Sequence, residues 1–268
     1  MSGNPRLIGL PYDASSSFLQ GAAEAPPMIR AALHSPASNS WAHGLRDVLG
    51  PGGLTDAGDL ALPPRPEARV LIEAGVVEVV AGGSRPIALG GDHSVTYPAV
   101  RAVAQAYAPL TILHIDAHPD LYDIFEGDRY SHACPFARIM EEGLAVRLVQ
   151  VGIRTMNRHQ REQADRFGVE VIDLPAWLAG ARPRTNGKVY LSIDLDGLDP
   201  AYAPGVSHPE PGGLSTREVL GLVQELRGSL VGADVVEYNP DRDVGGLTAM
   251  VAAKIVKEVA GRMLAEAG

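Results

Sequence analysis

Four short words in this chain place carboxylates and imidazoles directly behind apolar runs. They are GGDHS at 90–94, DAHPD at 116–120, DLDGLDP at 194–200 and EYNP at 237–240. Asp116, His118 and Asp120 stand two residues apart, as do Asp194 and Asp196, and His93 joins from the first word. In extended backbone such spacing turns side chains to one side. Four Asp and two His that converge form an oxygen-rich donor set with one imidazole per ion. That set suits Mn²⁺ or a similar divalent ion better than a thiolate-rich zinc site. Four carboxylates also balance the charge of two such ions, and a pair of ions about 3.5–4 Å apart can activate water for hydrolysis. Each word taken singly has a plainer reading. A lone Asp at a strand end is usually a cap or a turn former, Asp92 or Ser94 can open a helix, and DGLDP makes a reasonable turn. It is their joint occurrence that is informative.

The elements that must gather these words alternate between strand and helix. Apolar runs predict strands at 6–10, 86–89, 110–115, 148–151, 169–174, 188–193 and 230–236. Helices are expected at 22–33, 66–81, 95–107, 135–142, 157–167, 215–226 and 246–265. Pro26 and Pro27 fit a first helical turn, and Ser215 with Glu218 forms a capping box. Residues 35–66, rich in Pro, Gly, Ser and Asp, read mostly as loop. The alternation implies an α/β fold with a parallel sheet and helices on both faces. No repeat, linker or compositional break divides it, so one domain over 1–268 is expected. In an open parallel sheet the ligand sits beyond the carboxyl ends of the strands, and all four words fall there.

Composition narrows the function classes. The 268 residues are 46% hydrophobic and 21% charged, an ordinary soluble balance. Aromatics at 5% suit strands packed under Ala- and Leu-rich helices. A net charge of −9 argues against a nucleic-acid surface and is compatible with a small cationic substrate. The single cysteine, Cys134, allows no disulfide within the chain. Although it lies two residues after His132, it reads as a packing residue rather than a nucleophile. There is no apolar run of about 18 residues, and Met1 to Leu10 lacks the pattern of a secretory signal. A cytoplasmic protein with no membrane or nucleic-acid partner is the expectation.

GGDHS, DAHPD and SIDLDGLDPAYAPG together resemble the three signatures of the arginase–agmatinase (ureohydrolase) family. SSFLQGAAEAPPMIR, YSHACPFARIMEEG, QVGIR, GVSHPEPGGLS, VGADVVEYNP and LTAMVAAKIV extend the resemblance, in the order of the plant-type arginase branch. The resemblance implies a three-layer αβα sandwich with a mainly parallel central sheet. It implies two Mn²⁺, with Ni²⁺ used by some relatives. One ion would be held by His93, Asp116, Asp120 and Asp194, the other by His118, Asp116, Asp194 and Asp196. It also implies hydrolysis of a guanidinium group to urea and an amine, by a homotrimer or homohexamer. Asp120, His132 and Glu237 would be the catalytic residues. A carboxylate at Glu237 fits bidentate pairing with a planar guanidinium, and an imidazole at His132 titrates in the range needed to protonate a departing amine.

By the same resemblance, EGDRYSH before His132 lies where arginases bind the far end of the substrate. Asp128 would repel a carboxylate and favour an amine, whereas Arg129 would do the reverse. On that balance agmatine, giving putrescine and urea, is the first expectation. Arginine, 4-guanidinobutyrate and free guanidine are the alternatives, and a solvated turn pair at Asp128 and Arg129 stays open. A binuclear metallophosphoesterase shares the D-x-H word but needs a later G-D-x-x-D and G-N-H-[DE], which do not follow His118. Single-zinc deacetylase relatives keep fewer ligands. An inactive ureohydrolase-like scaffold would have lost His118, Asp194 or Glu237, and all three are present.

Overall fold

Alternation of buried side chains along the strands decides the layers of this protein. The structure, a computed structural model, describes residues 3–267, so expectations touching Met1, Ser2 and Gly268 lie outside it. In chain order the elements are β1 (Pro5–Gly9), α1 (Ala25–Leu33), β2 (Trp41–Ala42), β3 (Arg46–Asp47), β4 (Thr55–Asp59), α2 (Ala68–Ala81), β5 (Arg85–Leu89), α3 (Thr96–Tyr107) and β6 (Leu110–Ile115). Then follow α4 (Pro135–Glu141), β7 (Ala145–Val151), α5 (Arg158–Phe167), β8 (Glu170–Ile172), α6 (Leu174–Leu178), β9 (Lys188–Asp194), α7 (Thr216–Glu225), β10 (Ser229–Val236) and α8 (Leu247–Ala267). Eight strands form one sheet in the order β4-β1-β5-β10-β9-β6-β7-β8. Every neighbouring pair in it is parallel, and β2 and β3 make a small antiparallel ribbon apart from it.

On one face Ile8, Ala88, Ile112, Leu148 and Tyr190 pack against Ile72 and Val76 of α2, Val100 of α3, Phe136 of α4 and Ala164 of α5. On the other, Leu7, Leu89, Leu113, Val149 and Leu191 pack against Ile29 of α1, Trp177 of α6, Val223 of α7 and Ile255 of α8. Burying one large apolar side chain contributes about 1.5–3 kcal/mol, so both helical layers are firmly held. The result is the expected three-layer αβα sandwich. Strands β5, β10, β9 and β6 occupy its centre, and the four functional words follow their carboxyl ends. β10, the last strand in the chain, inserts between β5 and β9, which makes neighbours of words far apart in sequence.

Two regions differ from expectation. The stretch at 35–66 is not only loop: β4 adds an edge strand beside β1. Every residue of β4 is exposed, so no apolar pattern announces it. It is held by its ladder to β1 and by Arg30, whose guanidinium binds Asp56 (2.7 Å) and Asp59. The strand expected at 169–174 stops at Ile172. Asp173 then caps α6, its Oδ1 accepting the Ala176 N–H at 2.9 Å, which is the local bonding that favours Asp at helix starts. The capping box at Ser215 and Glu218 is present, and Asn157 with Gln160 forms a second.

Candidate active site

Behind β5 the chain turns through Gly90 and Gly91. A Cβ on Gly91 would sit 1.8 Å from the Tyr12 carbonyl oxygen, so only glycine lets the strand end this close to its neighbour. Asp92 then caps a short 3₁₀ turn, Oδ1 accepting the Ser94 N–H at 3.0 Å. The capping reading of GGDHS is therefore correct, and the cap is what aims His93 inward. The residues expected from strand alternation do converge, but by a different geometry. β6 ends at Ile115, before Asp116, and β9 ends at Asp194, with Asp196 in a 3₁₀ turn. Loop backbone, not strand pleat, brings these side chains together. Two site residues have left-handed backbone, Asp120 at φ 50° and Glu237 at φ 63°. That region is costly for side chains other than glycine and is often found where a site demands an unusual direction.

At the inner end, His93 Nδ1 lies 3.2 Å from Asp116 Oδ2, 3.0 Å from Asp120 Oδ2 and 3.1 Å from Asp194 Oδ2. It is buried and makes no hydrogen bond. Beside it, His118 Nδ1 lies 3.1 Å from Asp196 Oδ2 and 3.5 Å from Asp116 Oδ1. Buried polar atoms are ordinarily satisfied, and a lone nitrogen ringed by carboxylate oxygens is the donor arrangement of a cation site. The supports are built to match. Ser192 donates to Asp234 Oδ1 at 2.6 Å, so its oxygen accepts from His93 Nε2 at 3.0 Å. That fixes the His93 tautomer with Nδ1 free to ligate, the usual arrangement around metal-bound histidine. Asp234 also accepts from Thr96 and Tyr190. His114 Nε2 bonds Asp116 Oδ2 at 2.7 Å. Burial resists charge on Asp116, yet His114 and His118 hold its carboxyl well below the usual range. Burial, with repulsion from Asp196 and Asp116, pushes Asp194 well above it. Crowded like charges of this kind are what divalent cations relieve, and the six residues fit two of them.

At the outer end, Glu237 Oε1 accepts the His93 backbone N–H at 2.8 Å and meets His132 Nδ1 at 3.2 Å. Its Oε2 is buried with no hydrogen-bond partner. Burial disfavours charge on His132, but the bond to Glu237 and its charge outweigh this and push the imidazole up to about 9. The same contact holds Glu237 below the ordinary carboxylate range against burial. The pair is therefore imidazolium and carboxylate near neutral pH, with both ring nitrogens donating. His132 Nε2 is 2.8 Å from Ser17 Oγ, and His208 stacks on the His132 ring at 5.0 Å. These residues line one cavity of about 200 Å³ together with His118, Asp120, Asp194, Asp196, Tyr122, Phe125, Thr155 and Gln160.

Asp128 and Arg129 do not line this cavity, contrary to the substrate-binding expectation. Phe125 to Asp128 forms a tight hairpin, with bonds of 3.0 and 2.9 Å between the backbones of those two residues. Asp128 Oδ1 accepts the Tyr130 N–H at 2.8 Å. Arg129 is held by Asp123 at 3.0 Å and Glu141 at 2.9 Å. The solvated turn pair, the plainer reading, describes them. Asp123 anchors Arg129 and Arg138. Cys134 is buried, and burial pushes its thiol up to about 12, which suits packing. Ser17, His114, Ser192, His208 and Asp234 were not anticipated. His114 and Ser192 carry a signal in the sequence, each standing two residues before a carboxylate of the inner cluster, Asp116 and Asp194. Ser17 and His208 come from loops with no such marker.

Residues 4–261 match the model of the arginase family. The chain is 49% identical to arginase 1, mitochondrial, of Arabidopsis thaliana, over 96% of this chain and 80% of that protein. It is 34% identical to the mitochondrial agmatinase of Gallus gallus, over 94% and 79%. The solved arginase from Medicago truncatula superposes with a TM-score of 0.93 at 45% identity, covering 98% of this chain and 88% of that one. Geometry and similarity meet in one conclusion: the chain belongs to the arginase family, hydrolases acting on guanidino compounds.

Proposed function

We propose that this protein is an arginase, converting arginine and water to ornithine and urea. One observation carries the reading at the level of chemistry. Glu237 Oε2 is a buried, unpaired carboxylate oxygen on a residue that lines one cavity with His118, Asp120, Asp194 and Asp196, behind which His93 and Asp116 are buried. A planar cation with several N–H donors satisfies it. Arginine replaces agmatine as first choice for two reasons. The repulsion expected from Asp128 has no place in a cavity that Asp128 does not line, and identity to the named arginase exceeds identity to the named agmatinase.

The six ligands would hold two Mn²⁺, with Ni²⁺ the alternative. When bound, the ions supply a water activated as nucleophile at neutral pH. The protein's own groups do the rest. Glu237 orients the guanidinium, and the His132 imidazolium supplies a proton toward the departing amine. Tyr122 and Phe125 give the cavity apolar lining for an aliphatic stem, and Thr155 and Gln160 add neutral hydrogen-bonding groups to it. A homotrimer or homohexamer is part of the proposal, and light scattering of the purified protein measures it. Among the described residues no helix is long and apolar enough to cross a membrane. The Arabidopsis relative carries "mitochondrial" in its name, so the similarity does not support the cytoplasmic expectation.

The test is urea release by the Mn²⁺- and Ni²⁺-loaded protein from arginine, agmatine, 4-guanidinobutyrate and guanidine. Highest kcat/KM on arginine is the expected result. A higher value on agmatine restores the first expectation, and no urea from any of them leaves an inactive ureohydrolase-like scaffold.

A further inference from the structure

The segment Asp13–Gln20 is a polar surface loop, a kind that is usually mobile and variable. Here it is tied down from several distant parts of the chain. Ser15 N–H donates to Asp92 Oδ2 at 2.9 Å, and His132 N–H donates to the Ser15 carbonyl at 3.2 Å. Ser207 Oγ donates to the Leu19 carbonyl at 2.9 Å, and Asn239 Nδ2 donates to the Gln20 carbonyl at 3.1 Å. The anchors come from the GGDHS word, the His132 loop, the loop carrying His208 and the EYNP word. Phe18 leans on His208 at 5.8 Å while His208 stacks on His132. What this bracing delivers is the Ser17 hydroxyl, exposed at the cavity mouth and 2.8 Å from His132 Nε2. The other ring nitrogen is committed to Glu237. A proton leaving or entering this imidazole without breaking the Glu237 contact must therefore pass at the Nε2 end.

We propose that Ser17 is a catalytic residue of the reaction proposed above, on which this inference rests. Its hydroxyl carries a proton from His132 Nε2 to the departing amine, then returns one from solvent to His132. Hydrolysis of an alkylguanidinium forms one C–O bond, breaks one C–N bond and leaves both hydrogens of the water on the departing nitrogen, which exits as ammonium. One of these arrives by relay: the Ser17 O–H bond breaks as the amine N–H forms, and the Nε2 proton replaces it on Oγ. The proton that the attacking water gave up to solvent then returns through Oγ to Nε2, so the cycle balances. Ser17 stands on the correct side for this. With the guanidinium held against Glu237 as proposed, its departing nitrogen would share the cavity that Ser17 also lines.

The experiment compares Ser17→Ala with Ser17→Thr, which keeps a hydroxyl, in the Mn²⁺-loaded enzyme on arginine. General acid catalysis contributes about 10²–10⁴-fold, and with water as a partial substitute Ser17→Ala is expected to lower kcat about 10–100-fold. KM should stay within about twofold, since ground-state binding is untouched. Ser17→Thr should remain within about threefold of wild type, as the relay group is retained. In the metal-free protein, the His132 Nε2 nitrogen resonance should move in Ser17→Ala and stay in place in Ser17→Thr. A Ser17→Ala enzyme with wild-type kcat, a Thr variant as impaired as the Ala variant, or an unmoved resonance each overturns the proposal and leaves the assignment of the reaction standing. Wild-type protein that releases no urea from any guanidino compound overturns both.

Discussion

At the inner end of the cavity, Asp116, Asp120, Asp194 and Asp196 crowd around two imidazoles, whereas at the outer end one carboxylate, Glu237, faces one imidazole, His132. The outer pair is balanced within itself, each partner holding the other in its charged form. The inner cluster has more negative than positive capacity, and its carboxyls are driven in opposite directions by their neighbours. A self-neutral pair belongs to the folded chain alone, while an over-acidic cluster is completed by cations. Under the proposed function the difference divides the tasks: activation of water at the inner end, recognition and proton supply at the outer.

Substitutions that touch one end only should separate these tasks. The largest effect is expected for Asp194→Ala. Losing a shared ligand should empty the inner end by metal analysis and lower urea release at least about 10³-fold, since the cations contribute several kcal/mol. Urea release that survives would place the bridging position elsewhere. His132→Asn should leave bound metal unchanged and cut kcat about 10²-fold or more, and a parallel loss of metal would erase the distinction between the two ends. Ser192→Ala removes the acceptor of His93 Nε2 and should weaken divalent-ion affinity about 10–100-fold, measured by titration calorimetry.

The next effect is one of pH. His132 is raised in the fold, so its contribution to stability is complete below the unfolded value near 6.5 and fades as pH rises through about 9. Glu237 is lowered, so its contribution is present above the ordinary glutamate value and is lost as pH falls through its depressed one. Denaturant midpoints of metal-free wild type should therefore decline between about pH 6.5 and 9 relative to His132→Asn. Parallel curves would show that the pair is not coupled in the fold. Smallest is Arg129→Ala. Its ion pairs with Asp123 and Glu141 are surface contacts, each contributing about 0–1 kcal/mol. The ratio of kcat/KM for arginine to that for agmatine should stay within about twofold, and a changed ratio would return Arg129 to the substrate.

The contrast also explains what the sequence made legible. Inner-end residues stand in dense words behind apolar runs, because buried strands need hydrophobic residues and abrupt polarity at their ends stands out. Outer-end residues are scattered as single letters on loops. Glu237 and His132 stand out only through family resemblance, while Ser17 and His208 carry no mark of their own because three-dimensional bracing leaves no periodicity. Arg129 draws notice for a related reason: a charged letter does not reveal that Asp123 and Glu141 already hold it. β4 escaped notice because a fully exposed edge strand carries no hydrophobic pattern, whereas the other strands of the sheet were readable from theirs.

The left-handed backbone at Asp120 and Glu237 has a consequence for how this protein responds to selection. Each such residue costs the fold about 1–2 kcal/mol that glycine would not, and each also buries a carboxylate. At 120 a screen for heat resistance alone would favour glycine, whereas at 237 glycine would also forfeit the His132 ion pair and the acceptor of the buried His93 N–H. Stability and the proposed activity are therefore opposed at Asp120, so any effort to harden the enzyme must draw its gains from elsewhere, for instance the polar edge formed by β4.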